Sequence, residues 1–186
     1  MILLQHLSKI IFISKALEDA INSVAKEITL PKNTILVNHK ERCRNLFFIQ
    51  KGLVRGYYYD EGKEITNWFA QEEEFATSFY SFITNEPSPE TIEALEDCQL
   101  IQISYTDLQD LYKKFQETER IGRIITENYY IKLEERFLNI RFRSAKERYQ
   151  NLISKNPSLL QRASLGQIAT YLGITQETLS RIRAEL

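Results

Sequence analysis

Ser164-Leu165-Gly166-Gln167-Ile168-Ala169-Thr170-Tyr171-Leu172-Gly173-Ile174-Thr175-Gln176-Glu177-Thr178-Leu179-Ser180-Arg181 contains two short helical patterns separated by a glycine. Ser164 supplies a hydroxyl where a first helix needs its N-cap, and Leu165, Ile168, Ala169 and Leu172 then share one face. Gly173 is placed to end that helix in the left-handed conformation that a Cβ disfavours. Ile174 plugs the turn, and Thr175 caps a second helix with Leu179, Ile182 and Leu186 inward. Small Ala169 stands where the two helices must approach closely. This is a helix-turn-helix pattern.

The outward face of the second helix carries the chemistry. At about 100° per residue, Glu177, Ser180, Arg181 and Ala184 lie opposite the inward stripe, where a second helix enters a major groove. Arginine donates two parallel hydrogen bonds to N7 and O6 of guanine, and glutamate accepts from N4 of cytosine. Serine suits a phosphate, a sugar or a thymine edge. An acid on a basic surface weakens attraction to phosphate, so Glu177 is expected to read a base or orient Arg181. The same i,i+4 spacing also describes a surface ion pair worth only a few tenths of a kcal/mol. Gln176, Glu177, Ser180 and Arg181 are the expected base-reading residues; Ser164, Thr175, Arg183 and Arg162 are the expected backbone contacts.

Upstream, residues 117–143 form a proline-free helical stretch with only Gly122 to weaken it. Two apolar stripes run along it. One comprises Ile121, Ile124, Ile131 and Leu138; the other comprises Tyr130, Leu133, Phe137 and Ile140. One stripe can pack on the helix's own domain while the other meets a partner, or both can belong to the intrachain core. Arg141, Arg143, Lys146 and Arg148 follow as a basic cluster and mark the expected hinge.

Residues 28–103 read differently, as short apolar or alternating runs broken by turn residues, the pattern of an antiparallel barrel or sandwich. The expected strands are 34–37, 46–51, 53–59, 64–70, 91–96 and 100–104. Asp60, Glu61, Gly62 and Lys63 make a hairpin turn, with Gly62 supplying positive φ. Gly52 is expected to turn the chain similarly, and residues 85–89 are a loop by composition. Ser104 followed by Asp107 caps a helix carrying Leu108, Leu111, Tyr112 and Phe115.

Length and composition bound these readings. The 186 residues, 43% hydrophobic and 26% charged, suit one large or two small globular domains and exclude general disorder. Cys43 and Cys98 alone cannot build a disulfide framework or a four-thiolate metal or iron-sulfur site, and they fit a reducing cytosol. Residues 1–13 are too short to span a bilayer and lack the features of a signal peptide, so a buried amphipathic helix is expected. The net charge of -1 is unevenly distributed. Residues 1–131 carry 14 Lys and Arg against 20 Asp and Glu, a net of -6, whereas residues 132–186 carry 10 against 5, a net of +5. An acidic front and a basic rear suit two units with different partners.

The stretch 165–181 resembles the helix-turn-helix of Crp/Fnr-type bacterial transcription regulators, whose recognition helix carries Glu-Thr, an aliphatic, Ser or Gly, then Arg. Phe47-Phe48-Ile49-Gln50-Lys51-Gly52-Leu53-Val54-Arg55, then Gly62 and Lys63-Glu64-Ile65, resemble the cyclic-nucleotide-binding β-barrel of that superfamily. Ile103-Ser104-Tyr105, opening the helix after the barrel, also fits. The resemblance covers nearly the whole chain in order. It implies an α+β fold: an antiparallel β-barrel of the double-stranded β-helix type, a long dimerisation helix and a C-terminal helix-turn-helix domain. The corresponding divisions are a sensor domain at 1–116, the long helix and hinge at 117–143 and the reader domain at 144–186. It implies a cytoplasmic homodimer on two-fold symmetric double-stranded DNA, with Ile121, Ile124, Ile131 and Leu138 in the dimer helix and RNA polymerase a further candidate partner. The Glu177, Ser180, Arg181 triplet implies a half-site similar to TTGAT.

Three departures qualify the resemblance. Cyclic AMP receptors hold the cyclic phosphate with Gly-Glu on a short helix and an arginine downstream; here Thr77 and Ser78 replace Gly-Glu, and Ser88-Pro89-Glu90 stands where the arginine is expected. No Lys or Arg occurs from Gln71 to Ile103, whereas seven Glu and one Asp do. A cyclic phosphate there would face uncompensated negative charge, so no physiological binding of cyclic AMP is expected. Any other effector is expected near Phe75, Thr77, Ser78, Phe79 and Ser88. Second, iron-sulfur and haem sensing lack their ligands, and no cofactor or metal is expected; His6 and His39, 33 positions apart, also argue against a cupin-type enzyme. Third, family members continue into a β-hairpin wing, whereas this sequence ends at Leu186 on the recognition helix. Either this branch dispenses with the wing or the sequence is a shortened one. The rival reading is a ligand-binding signalling module whose rear helices bind protein.

Overall fold

The computed structural model describes residues 2–185; the expected inward packing of Leu186 lies outside them. Two helices open the chain, α1 (Ile2–Ile10) and α2 (Lys15–Val24), followed by strands β1 (Lys26–Leu30), β2 (Ile35–Val37), β3 (Asn45–Lys51), β4 (Val54–Asp60), β5 (Lys63–Ala70) and β6 (Phe75–Ala76). After α3 (Phe79–Thr84), β7 (Thr91–Ala94) and β8 (Cys98–Ser104) complete two four-stranded antiparallel sheets, ordered β1-β8-β3-β6 and β2-β7-β4-β5. The helices α4 (Tyr105–Lys114), α5 (Gln116–Phe142), α6 (Ala145–Lys155), α7 (Leu159–Arg162), α8 (Leu165–Tyr171) and α9 (Gln176–Ala184) follow. This is the expected α+β architecture of antiparallel barrel, long helix and helix-turn-helix.

The β3 sequence shows why this sheet is buried on both faces. Phe47 and Ile49 point into the barrel with Val54, Ile92, Cys98 and Leu100, while Phe48 between them points outward against Leu3, Leu7, Leu17 and Ile101. Alternation therefore disappears into a continuous apolar run, as it does wherever helices cover a sheet. The β4–β5 hairpin closes through a two-residue turn in which Glu61 (φ 48°) and Gly62 (φ 79°) are both left-handed and Asp60 pairs with Lys63. That is a type I′ turn, whose twist matches the strands. Ser104 caps α4 by accepting from the Asp107 amide, as expected.

Several elements were not in the sequence-based expectation. Residues 1–13 were expected as one buried helix; α1 ends at Ile10, presenting Leu3 and Leu7 to the core, and a second helix, α2, buries Leu17 and Ile21. The short β1, β6 and α3 were also missed. The long helix departs from the two-stripe expectation. Ile121 is buried within the chain, and the intrachain seam continues through half-buried Ile125, Tyr129 and Arg136. Ile131 and Leu138 of the first stripe, and all four residues of the second, are exposed. Ile121 is thus committed to the barrel side and is unavailable to a partner. The reason is geometric: α1, α4 and the barrel pack along a face of the helix between the two stripes.

Candidate nucleic-acid interface and sensor pocket

Two N-caps and one glycine organise the reader end. Ser164 forms a full capping box with Gln167, and Thr175 accepts from the Thr178 amide. Gly173 adopts φ 66° after α8, where a Cβ would be strained. Ile168, Ala169, Leu172, Leu179 and Ile182 are buried together, joined by Tyr149, Leu152 and Leu159 from α6 and α7. Packing this stripe inward turns Gln176, Glu177, Ser180, Arg181, Arg183 and Ala184 out to solvent. Glu177 and Arg181 form no ion pair; the Arg181 guanidinium instead approaches the Thr178 hydroxyl at 3.4 Å. The backbone N–H of Glu177 itself and the Thr175 hydroxyl hold the Glu177 carboxyl below its ordinary range.

Arg162 departs from its expected place at a DNA phosphate. Its guanidinium is mostly buried and forms hydrogen bonds to both Glu72 and Glu96 of the barrel, at 2.7 to 3.2 Å. Burial alone would raise the Glu72 carboxyl, but Arg162 and the Gly52 amide draw it below its usual range. Arg148 of the expected hinge cluster is likewise turned inward, its Nη1 donating to the Arg143 carbonyl at 2.7 Å near the end of α5. Further contacts dock the reader on β5. The Thr66 amide donates to Thr170 Oγ1 at 3.2 Å, Phe69 packs on Tyr171 and Arg136 lies 4.6 Å from the Tyr171 ring centre. Barrel residues Leu53 and Leu95 join the reader's core.

At the expected ligand pocket, polar side chains converge and satisfy one another. Ser78 and Ser88 are fully buried with their hydroxyls 2.8 Å apart. Ser88 also donates to the Glu90 carbonyl at 2.7 Å. The Glu90 carboxylate, from the loop before β7, is 5% exposed and accepts from Trp68 Nε1 at 2.8 Å. Gly56 makes this possible: the Trp68 indole lies where a Cβ on Gly56 would be, only 2.2 Å away. Burial pushes the Glu90 carboxyl up to about 7, against the lowering effect of Trp68 and Ser78. Thr77 donates to the Asn45 carbonyl at 2.9 Å. Phe75 and Phe79 are not part of this polar cluster. Phe75 packs on Phe48, Phe79 stacks on Tyr129 of α5 at 4.1 Å, and both line a separate cavity of about 570 Å³ between barrel and long helix.

Five of the eight acids between Gln71 and Ile103 meet cations from outside that stretch. Glu73 meets Lys9, Glu74 meets Lys132, Glu93 meets Arg55, and Glu72 and Glu96 share Arg162. Cations from outside the stretch thus answer part of this charge, whereas the buried Glu90 meets no cation among the described residues.

Residues 27–115 match the cyclic nucleotide-binding domain. That match runs from β1 to the end of α4. No curated protein sequence matches the chain. Among solved structures, FixK2 of Bradyrhizobium japonicum is similar with a TM-score of 0.77 and 20% identity, over 88% of this chain and 84% of that one. A transcriptional regulator of the Crp/Fnr family from Eubacterium rectale gives 0.73 at 21% identity, over 93% and 83%. The c-di-GMP responsive global regulator CLP of Xanthomonas campestris gives 0.72 at 18%, over 92% and 91%. At these identities the likeness establishes the fold: a cyclic nucleotide-binding-type barrel joined to a C-terminal helix-turn-helix. The Eubacterium rectale and Xanthomonas campestris proteins are regulators. Among the described residues no helix is long and apolar enough to cross a membrane.

Sequence reasoning placed Glu90 where the phosphate-binding arginine is expected but did not foresee its hydrogen bond from Trp68. The available signal was Gly56, a glycine inside a strand pattern, which marks a close approach by another group.

Proposed function

We propose that this protein is a sequence-specific DNA-binding transcription regulator, acting in the cytoplasm as a homodimer whose barrel answers a signal other than cyclic AMP. The observation that carries the reading is the α9 surface. Glu177, Ser180 and Arg181 stand exposed on a doubly capped helix-turn-helix, with Arg181 free of the carboxylate that would otherwise engage it. Gln176 completes the reading set. Ser164, Thr175 and Arg183 approach the backbone, and the exposed Arg141 and Arg143 take the phosphate role first expected of Arg162. Homodimerisation through α5 puts two such helices on one two-fold symmetric site, and RNA polymerase is a partner for the DNA-bound form.

Selection of bound sequences from a random DNA pool tests binding, symmetry and half-site together. It is expected to return an inverted repeat of G·C-containing, A·T-flanked half-sites. The Arg181→Ala variant is expected to weaken specific binding by about 1 to 3 kcal/mol and to relax selectivity at one base pair. An unchanged selected profile would remove Arg181 from base readout. A salt series on random DNA separates this reading from a protein-binding signalling module: a regulator loses affinity steeply as salt rises.

Cyclic AMP is expected to give no heat of binding in calorimetry. Ser88-Pro89-Glu90 puts a buried carboxylate, hydrogen-bonded to Trp68, in the region where the family resemblance calls for a phosphate-binding arginine. A cyclic phosphate entering there would meet like charge in a low-dielectric site. A micromolar interaction would refute this.

A further inference from the structure

A cavity of about 460 Å³ lies where the barrel, α5 and the reader domain meet. Its charged lining consists of Lys132, Arg136, Arg148 and Lys155 against Glu74 and Glu135. The two lysines are exposed and already paired, Lys132 with Glu74 and Lys155 with Glu135. The two arginines are different. Arg136 is mostly buried, its Nη2 weakly engaged by the Thr66 carbonyl at 3.3 Å, and its Nη1 is buried with no acceptor. Arg148 gives Nη1 to the Arg143 carbonyl, and its Nε is also buried with no acceptor. Neither guanidinium has a carboxylate partner among the described residues. Two half-buried cations without a counter-ion are costly, and each orphaned buried donor adds to that cost.

We infer that this interdomain cavity binds a small organic dianion, with the anionic group between Arg136 and Arg148 and an apolar or aromatic body against Phe69, Ile140 and Tyr171. After the two lysine–glutamate pairs are set aside, the lining has a net charge of +2, which a dianion balances. Guanidinium forks match the oxygen spacing of carboxylates and phosphates alike. The volume falls within the range of small-molecule sites. Burial holds the Arg136 guanidinium below its ordinary value, as expected for a desolvated cation lacking an anionic partner. The site is distinct from the Glu90 cluster, where a carboxylate already fills the space.

Arg136 belongs to the long helix, Arg148 to α6 of the reader, and Leu53 and Phe69 to the barrel. A ligand touching all three fixes the docking of reader on barrel. If the chain reads DNA as proposed, the ligand and DNA affinities are then coupled by one reciprocal factor. The binding itself does not depend on that reading and is tested without DNA.

Calorimetry on the full chain with phenyl phosphate, phthalate and benzoate, at matched ionic strength, tests the site. At least one of the two dianions is expected to bind about tenfold more tightly than monoanionic benzoate; which one binds distinguishes phosphate from dicarboxylate recognition. An Arg136→Gln, Arg148→Gln double variant is expected to lose that binding while still unfolding cooperatively, since it removes uncompensated buried charge. Circular dichroism verifies its fold. Absence of binding by either dianion at millimolar concentration overturns the proposal, as does undiminished binding by the folded double variant.

Discussion

Sedimentation of the Leu138→Glu variant is expected to give a monomer where the parent chain runs as a dimer. The 27 residues of α5 extend roughly 40 Å, but the rest of the chain covers only one face of it. Off that face, Tyr130, Ile131, Leu133, Phe137, Leu138 and Ile140 are each 45% to 62% exposed. Isolated apolar residues on a surface need no explanation; a continuous run along one helix does. Tyr130, Leu133, Phe137 and Ile140 follow alternating steps of three and four, the spacing of a coiled-coil seam, and Ile131 and Leu138 flank it one heptad apart. In a two-fold pair each substitution occurs twice, so Leu138→Glu would bury two carboxylates beside one another and forfeit two leucine contacts. Dissociation is expected to rise by about 100-fold or more, on the order of 3 kcal/mol. Folding of the single chain should survive, because Leu138 belongs to none of its buried clusters. Leu138→Met, which preserves volume, is the control and should remain dimeric. A Leu138→Glu protein that still sediments as a dimer would move the interface elsewhere on the chain.

The legible parts of this protein are those whose determinants lie within a few residues of one another. Ser164, Gly173 and Thr175 announce two helices and their turn because caps and left-handed glycines act locally, and all three adopt those roles. Glu61-Gly62 announces its hairpin for the same reason. The strands β3, β4 and β5 were readable from runs of apolar and aromatic residues. By contrast, β6 is two residues long and exists because Phe75 and Ala76 pair with Phe48 and Phe47, about 30 positions earlier.

Long-range charge was the least legible feature. Arg162 looks like a phosphate contact in a basic tail, but its partners Glu72 and Glu96 lie 90 and 66 positions away. Counting acids between Gln71 and Ile103 found the negative charge but not the Lys9, Arg55, Lys132 and Arg162 that answer it. For the long helix, periodicity identified two stripes without revealing that the barrel would seat itself between them. That placement depends on where α1 and α4 leave room, with Tyr112 packed so closely on Gly122 that a Cβ there would meet its hydroxyl at 2.3 Å.

Glu90→Gln is expected to stabilise the chain at alkaline pH. The Glu90 carboxyl is raised from an ordinary 4.5 to about 7, chiefly by burial and despite hydrogen bonds from Trp68 and Ser78. Tyr58 and Tyr129 adjoin it, and burial followed by the Glu90 charge pushes the Tyr58 hydroxyl up to about 12. A carboxyl with a raised folded-state value binds its proton more tightly in the folded chain than in the unfolded one. Its contribution to stability therefore falls as pH rises from about 4.5 to about 7, and the full cost of ionisation persists above that. At about 1.4 kcal/mol per pH unit, the ceiling on this cost is ~3 kcal/mol. The amide introduced by the substitution would keep an oxygen acceptor for the Trp68 indole without the charge. Thermal unfolding of parent and Glu90→Gln chains should thus diverge from about pH 5 to about pH 8, with the variant ahead at the upper end and the two close near pH 4.5. Since Trp68 is the only tryptophan, its fluorescence reports the same titration directly. A parent chain whose emission and melting temperature are flat across that range, matching the variant throughout, would mean that Glu90 ionises as an ordinary surface acid.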